Sequence, residues 1–404
     1  MLKDILGTLA TRYLIAFLNL ALIFVNARAL GIEGVGTLGL IWASVSLNVT
    51  INSVFSSNTI VYFLSKYSAR RLYPIAVLWI FAGSAIGCIA LSLLGLLPGG
   101  YTPDIYGITV LYSLGIAHSR FLLGKDHIWG FNLTQVLQGG LLFFVVLYFY
   151  YVCHRQEIAS YLWGLYLTNG VAVIVSLFLL YPYLRPERVG APVVRFRLMM
   201  KEMLAYGLWG STDNMAETCA TRLSYFLVER FVGIGGVGLL DAGTKVAESV
   251  WNISRSIASI AYNRVAGSKE KKEQKHITLQ LLKLTFLAMS VVMICVLLVP
   301  EWVYTDYLFG AEFKGIREVI AFLSVGIVAL GCHTILSHYF IGSGKIRYST
   351  FSSCIGLVSL LLAGWLLIPL YGINGSALSS SFAFCMMLLF SLLSFVKITN
   401  KIVR

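Results

Sequence analysis

The chain has 404 residues, 58% of them hydrophobic and 12% charged, with a net charge of +13 and a mean hydropathy of +0.81. Soluble domains average about 45–50% apolar and about 25% charged residues, so a soluble globular domain is excluded and a polytopic membrane protein is expected. Most of the positive excess lies in short loops, where the positive-inside rule accounts for it without any nucleic-acid partner.

Apolar runs near 20 residues recur almost to the C-terminus and lack the two-residue alternation of barrel strands, so the spanning elements are helices. Twelve spans are expected, at 5–27, 36–64, 73–97, 104–124, 129–152, 158–181, 203–229, 237–265, 278–299, 316–341, 347–368 and 375–396. The first is not a signal peptide, because its apolar run is long and Arg12 interrupts it. Lys66, Arg70, Arg71, Lys125, the arginines between Arg185 and Arg197, the lysines between Lys269 and Lys275, Lys345, Arg347 and the tail share one side of the membrane. That bias makes both termini cytoplasmic. The longest polar interruption, with Pro186, Gly190 and Pro192, divides the chain. The expected organisation is an N-terminal six-helix lobe at 1–184, a cytoplasmic linker at 185–201 and a C-terminal six-helix lobe at 202–404.

A repeat supports the two lobes. The run from Arg28 through Gly31, Ile32 and Gly34 to Gly36 is echoed from Arg230 through Gly233, Ile234 and Gly236 to Gly238, at a constant offset of 202 residues. Each copy ends the first span of its half and six spans separate them, so the halves are parallel and related by an axis along the membrane normal. The second copy also fits a G-x-G-x-x-G pattern, but it follows a membrane helix instead of a strand and is rejected as a dinucleotide site.

Within the first lobe, the second span supplies Ser46, Asn48, Thr50, Asn52, Ser53 and Asn58, which serve either close helix packing or contact with a polar substrate. His118 and Arg120 lie near the cytoplasmic end of the fourth span and read as interfacial, while Asn132, Gln135 and Gln138 of the fifth span are candidates for bonding sugar hydroxyls. In the tenth span, His333 and His338 read as packing histidines, and the seven scattered cysteines read as small core hydrophobes. Trp209 and Trp251 are the aromatic candidates for stacking on a sugar.

The charges concentrate elsewhere. Asp241, Lys245, Glu248, Asn252 and Arg255 follow one another at steps of four, three, four and three, which puts all five on one helical face of the eighth span. Four such charges facing lipid would cost on the order of 10 kcal/mol, so the stripe faces protein or a water-filled cavity. The only other acids deep in apolar runs are Asp213 and Glu217, one turn apart in the seventh span. If the seventh and eighth spans form a hairpin turning near Ile234, Arg222 lies level with Lys245 and Glu248. The buried charges then form either a static ion-pair network or an acid–base track lining a transport path. Asp213, Glu217, Asp241 and Glu248 are the candidates for cation coupling. Arg12, Arg222, Lys245 and Arg255, with Asn252, are the candidates for binding a substrate that carries pyrophosphate and sugar. Arg12 has no deep acid in its own half, which leaves it an anionic ligand, the cytoplasmic interface or a partner in the other lobe.

The segment Ala29-Leu-Gly31-Ile-Glu-Gly34-Val-Gly36 resembles the first-loop signature of the Wzx-type polysaccharide flippases, a branch of the multidrug/oligosaccharidyl-lipid/polysaccharide exporter (MOP) superfamily. Pro369-Leu-Tyr371-Gly372-Ile-Asn-Gly375-Ser-Ala377 resembles the loop before that family's last span. One departure is Tyr262-Asn263-Arg264, where the family pattern leads to a proline. The resemblance implies an all-helical bundle of two six-helix lobes around a cavity opened alternately to each side, in the bacterial inner membrane. It also implies transport of an undecaprenyl-pyrophosphate-linked glycan from the cytoplasmic to the periplasmic leaflet, with membrane lipid and the polymerase and chain-length regulator of the polysaccharide pathway as further partners. No cofactor is expected, and no P-loop is present to couple ATP. Na+ or H+ is left as the coupling ion. A membrane-bound polymerase or glycosyltransferase and a small-molecule exporter of the same superfamily are the alternatives.

Overall fold

The computed structural model describes residues 2–185, 196–268 and 270–400. Every regular element among the described residues is helical. In chain order these are α1 (Leu2–Ser56), α2 (Asn58–Phe63), α3 (Ala69–Leu93), α4 (Thr102–Gly124), α5 (Ile128–Val152), α6 (Ile158–Leu184), α7 (Phe196–Phe231), α8 (Ile234–Gly267), α9 (Lys271–Leu298), α10 (Ile316–Gly342) and α11 (Ile346–Asn400). Two short helical turns, Val303–Leu308 and Ala311–Phe313, lie between α9 and α10.

Among the described residues, seven helices are long and apolar enough to cross a membrane. Two of these candidate spans, Ala10–Phe63 and Ile346–Asn400, run to 54 and 55 residues. At 1.5 Å per residue each measures about 80 Å, more than twice a hydrocarbon core of about 30 Å. Each is interrupted at a glycine, Gly31 with φ of 69° and Gly372 with φ of 58°. A side chain at either position would be forced into the left-handed region that glycine enters freely.

The seventh span begins earlier than its sequence suggests. Arg197 and Lys201, expected in the linker, and Glu202, expected just ahead of the span, lie inside α7, while 186–195 of that linker fall outside the described residues. α8 runs unbroken through Tyr262 and Arg264, so the missing proline leaves no break there. α5 contains two wide π-helical turns, Val136–Gly140 and Tyr148–Val152.

The chain folds into two compact units. The first comprises residues up to Leu22 with Leu40–Met215. Its apolar core gathers Phe55, Ile60 and Phe63 with Leu72, Ile80, Phe121, Leu122, Leu180 and Met203. Between apolar layers the helices are held by amides. Asn52 Nδ2 donates to Ser84 Oγ at 2.9 Å and to Ser113 Oγ at 2.8 Å, and Asn48 Nδ2 donates to Ser84 O at 3.1 Å. Both asparagines lie against Gly83 and Gly87 of α3, where any Cβ would collide with their amide oxygens. Small residues with polar cross-links of this kind hold helices together where no hydrophobic force acts between them.

The second unit comprises Ile23–Gly39 and Ala216–Arg404. Here the two copies of the glycine repeat meet. Gly31 and Gly233 both have positive φ. A Cβ on Gly36 would overlap Ile234 O, and a Cβ on Gly238 would overlap Ile32 O, the same clash with the copies exchanged. The repeat therefore marks a reciprocal backbone crossing about a local two-fold. The first copy is also clasped by the α9–α10 connection. Arg28 Nη2 donates to Asp306 O at 2.6 Å, the Ile32 amide donates to Glu312 Oε2 at 3.0 Å, and Phe24 packs edge-on against Phe309.

Candidate functional site

The periodicity that aligns the α8 charges runs on from the glycine crossing, all within the second unit. Gly39, the repeat counterpart of Asp241, lies directly against it, and a Cβ there would sit 3.2 Å from Asp241 Cβ. The missing side chain leaves room for a buried carboxylate. Asp241 is 2% exposed. Its Oδ2 pairs with Lys245 Nζ at 2.7 Å, one helical turn on, and its Oδ1 accepts from Tyr225 Oη at 3.2 Å. Arg222, on α7, donates through Nη1 to the same Tyr225 Oη at 3.4 Å and through Nη2 to Glu248 Oε2 at 3.1 Å. Glu248, Arg222, Tyr225, Asp241 and Lys245 thus form a continuous chain of alternating charge with zero net charge, joined at its middle by a phenol.

The hairpin register expected from sequence is realised where Arg222 meets Glu248. Lys245 pairs with Asp241 on its own helix. Tyr225, which joins the two ion pairs, was not singled out. Its place three residues after Arg222 on the same helical face is the signal that could have found it. Farther along α8, the exposed Arg255 guanidinium stacks 3.8 Å from the centroid of Trp251. Trp251 is buried and donates through Nε1 to Thr334 Oγ1 at 3.0 Å, so it serves as a platform for the arginine. Asn252 is half-buried on the same face. On α7, Asp213 is buried and Glu217, one turn later, is half-buried. The Trp209 side chain lies outside what the structure describes.

The first unit holds the remaining cationic candidate. Arg12 is exposed and belongs to no ion pair among the described residues. Its charge bears on a second cation, Arg120 of α4. His118, expected at the interface, is instead buried, with Nδ1 2.8 Å from Ser176 Oγ and Nε2 3.1 Å from Tyr73 Oη. His333 is buried in the same way, with Nδ1 2.9 Å from Ser391 Oγ. The two pairs span the same interval, from 118 to 176 and from 333 to 391, and both histidines serve as packing groups. Gln138 finds protein partners, donating to Tyr112 O and Asn169 Oδ1, each at 3.2 Å.

The arrangement can do two things chemically. The alternating chain can trade partners, because either cation can leave its carboxylate for an incoming anion. The Arg12 and Arg255 guanidinium groups, in no ion pair among the described residues, can receive an anion directly.

Over residues 132–318 the chain matches a family described as polysaccharide biosynthesis protein. No curated relative matches the sequence. Among solved structures it is similar to an inward-facing multidrug resistance MATE family transporter of the MOP superfamily, at 14% identity over 96% of this chain and 94% of that chain, with a TM-score of 0.73. It is similar to the lipid II flippase MurJ in an inward closed conformation, at 13% identity over 99% of this chain and 90% of that chain, with a TM-score of 0.71. A Vibrio cholerae MATE transporter gives 13% identity over 99% and 98% of the two chains, with a TM-score of 0.62. The chain therefore has the all-helical, multi-pass fold of these transporters.

Proposed function

We propose that the protein is a flippase of the bacterial inner membrane that carries undecaprenyl-pyrophosphate-linked oligosaccharides from the cytoplasmic to the periplasmic leaflet. The observation that carries this is the polysaccharide-biosynthesis match over 132–318, which encloses every candidate charge except Arg12. The MATE and MurJ fold adds a scaffold used for transport. In this reading the chain crosses the membrane twelve times with both termini cytoplasmic, as two six-helix lobes at 1–184 and 202–404 joined by 185–201. Transport proceeds by alternating access. In the second unit Arg222, Lys245 and Arg255 are the pyrophosphate contacts and Asn252 the sugar contact, and in the first unit Arg12 is a phosphate contact. When the anion draws Arg222 or Lys245 away, Glu248 or Asp241 is left to take Na+ or H+, and Asp213 with Glu217 forms a second loading point.

Genetic disruption tests it. The expected result is loss of the surface polysaccharide with its lipid-linked repeat unit accumulating on the cytoplasmic leaflet. Unchanged polysaccharide and no accumulated lipid-linked unit would end the proposal. The TM-score of 0.73 to a multidrug transporter favours one second reading, export of a small molecule. Drug hypersensitivity in the disrupted strain with intact polysaccharide would select it.

A further inference from the structure

Among the described residues, Arg120 carries a partly buried charge whose named electrostatic neighbour is another cation. Its Nε is buried and has no hydrogen-bond partner. Among the described residues no acid pairs with it, and the ionised group that bears on it is Arg12, another cation. Three acids of the first unit are exposed or engaged elsewhere. Asp126 is exposed in the turn after α4, Asp104 accepts from Tyr166 Oη, and Glu202 accepts from Tyr67 Oη.

The packing explains why the two arginines are neighbours. α1 and α4 both close on the π-helical turn of α5. Ile15 Cγ2 lies 2.8 Å from where a Cβ on Gly139 would be, and Gln138 Nε2 donates to Tyr112 O and fills the space over Gly115. Arg12 sits one turn before Ile15 on α1, and Arg120 lies five residues beyond Gly115 on α4. Both are therefore on the cytoplasmic side of that layer. Arg120 also follows Ser113 by seven residues, on the stripe of α4 that faces Asn52. Two like charges repel, the more so where one of them is partly buried, and a buried unpaired charge is costly. A cation pair without an acid persists in a membrane protein when an anion completes it.

We propose that Arg12 and Arg120 form a receptor for a diphosphate ester, entered from the cytoplasmic side of the first unit. The assignment rests on the flippase reading and deepens it by adding Arg120 as a pyrophosphate ligand. Two guanidinium forks supply up to ten N–H donors in fixed planes, matched to the oxygens of two linked phosphates. The same chemistry would also hold an anionic phospholipid headgroup, so the experiment has an arm for each source.

The full-length protein is placed in phosphatidylcholine nanodiscs and titrated with farnesyl diphosphate, reading the dissociation constant and the melting midpoint. Wild type is expected to bind and to melt higher with ligand. Arg12→Ala and Arg120→Ala are each expected to bind at least tenfold more weakly, whereas Arg120→Lys loses less. Arg120→Leu guards against misfolding. Removing an unpaired buried charge is expected to leave the ligand-free midpoint at or above wild type while the ligand response disappears. Affinities within twofold of wild type in folded Arg12→Ala and Arg120→Leu would overturn the proposal. In a second arm, nanodiscs contain phosphatidylglycerol. If the variants lose only co-purified phosphatidylglycerol and keep farnesyl diphosphate affinity, the pair is a lipid anchor and the proposal falls. Wild-type binding that vanishes in both variants, in a protein that moves no lipid-linked oligosaccharide, would uphold the site and defeat the flippase reading alone.

Discussion

Replacing Lys245 with methionine tests the charge chain most sharply, because its partner has nowhere to go. Asp241 is 2% exposed, and its Oδ2 contacts Lys245 Nζ at 2.7 Å. At an effective dielectric of about 20, that contact carries roughly 6 kcal/mol of attraction. Lysine recovers part of this on leaving, since its side chain is 30% exposed and already partly hydrated. Asp241 keeps only the Tyr225 hydroxyl. Breaking a buried pair by removing one member costs about 3–5 kcal/mol, and the partial exposure argues for the lower end, about 3 kcal/mol. Lys245→Met with Asp241→Asn removes both charges and is expected to recover most of that loss, giving a coupling of about 2 kcal/mol in a double-mutant cycle. The assay is reversible unfolding in mixed micelles, with helix content as the probe. A loss under about 0.5 kcal/mol for Lys245→Met, or a double variant no better than the single, would refute the pairing.

Gly36→Ala and Gly238→Ala each set a methyl against the opposite copy's carbonyl. Either is expected to cost about 1–3 kcal/mol, and a melting midpoint at wild-type level would show that the crossing is loose. Glu312→Ala frees the Ile32 amide and Arg28→Ala frees Asp306 O, so both should raise hydrogen exchange around Gly31 several-fold. Unchanged exchange would mean that the clasp does not hold the loop. Asn52→Ala removes bonds to Ser84 and Ser113 and is expected to cost about 1–2 kcal/mol by the same unfolding assay, a neutral result counting against the amide cross-link.

What the sequence reveals follows from how far each cause reaches along the chain. The glycine repeat was visible because a turn at Gly31 or Gly233 and a crossing at Gly36 and Gly238 each demand the same missing side chain at a fixed offset. The α8 stripe was visible because charges in an apolar run stand out at helical period. Tyr225 was hidden because a tyrosine among apolar residues looks like packing, and only the approach of Asp241 from another helix gives its hydroxyl a role. His118 was misplaced for a related reason. Its partners Tyr73 and Ser176 come from other helices, and together they satisfy a ring that would otherwise seek water. The early start of α7 was masked by Arg197, Lys201 and Glu202, whose charges resemble a loop but sit on exposed helix. The π turns of α5 leave no trace in a hydrophobic pattern, although one of them carries Gln138 into its bonds with Tyr112 and Asn169.

The central claim is that this chain carries a lipid-linked saccharide and that its membrane-embedded charges take part. The most direct measurement uses proteoliposomes holding a fluorescent undecaprenyl-pyrophosphate oligosaccharide, with a membrane-impermeant quencher reporting its movement between leaflets. The account predicts protein-dependent movement that accelerates with an imposed Na+ or H+ gradient and falls at least tenfold in Arg222→Ala. Movement no faster than in empty liposomes, or equally fast in folded Arg222→Ala, would contradict it.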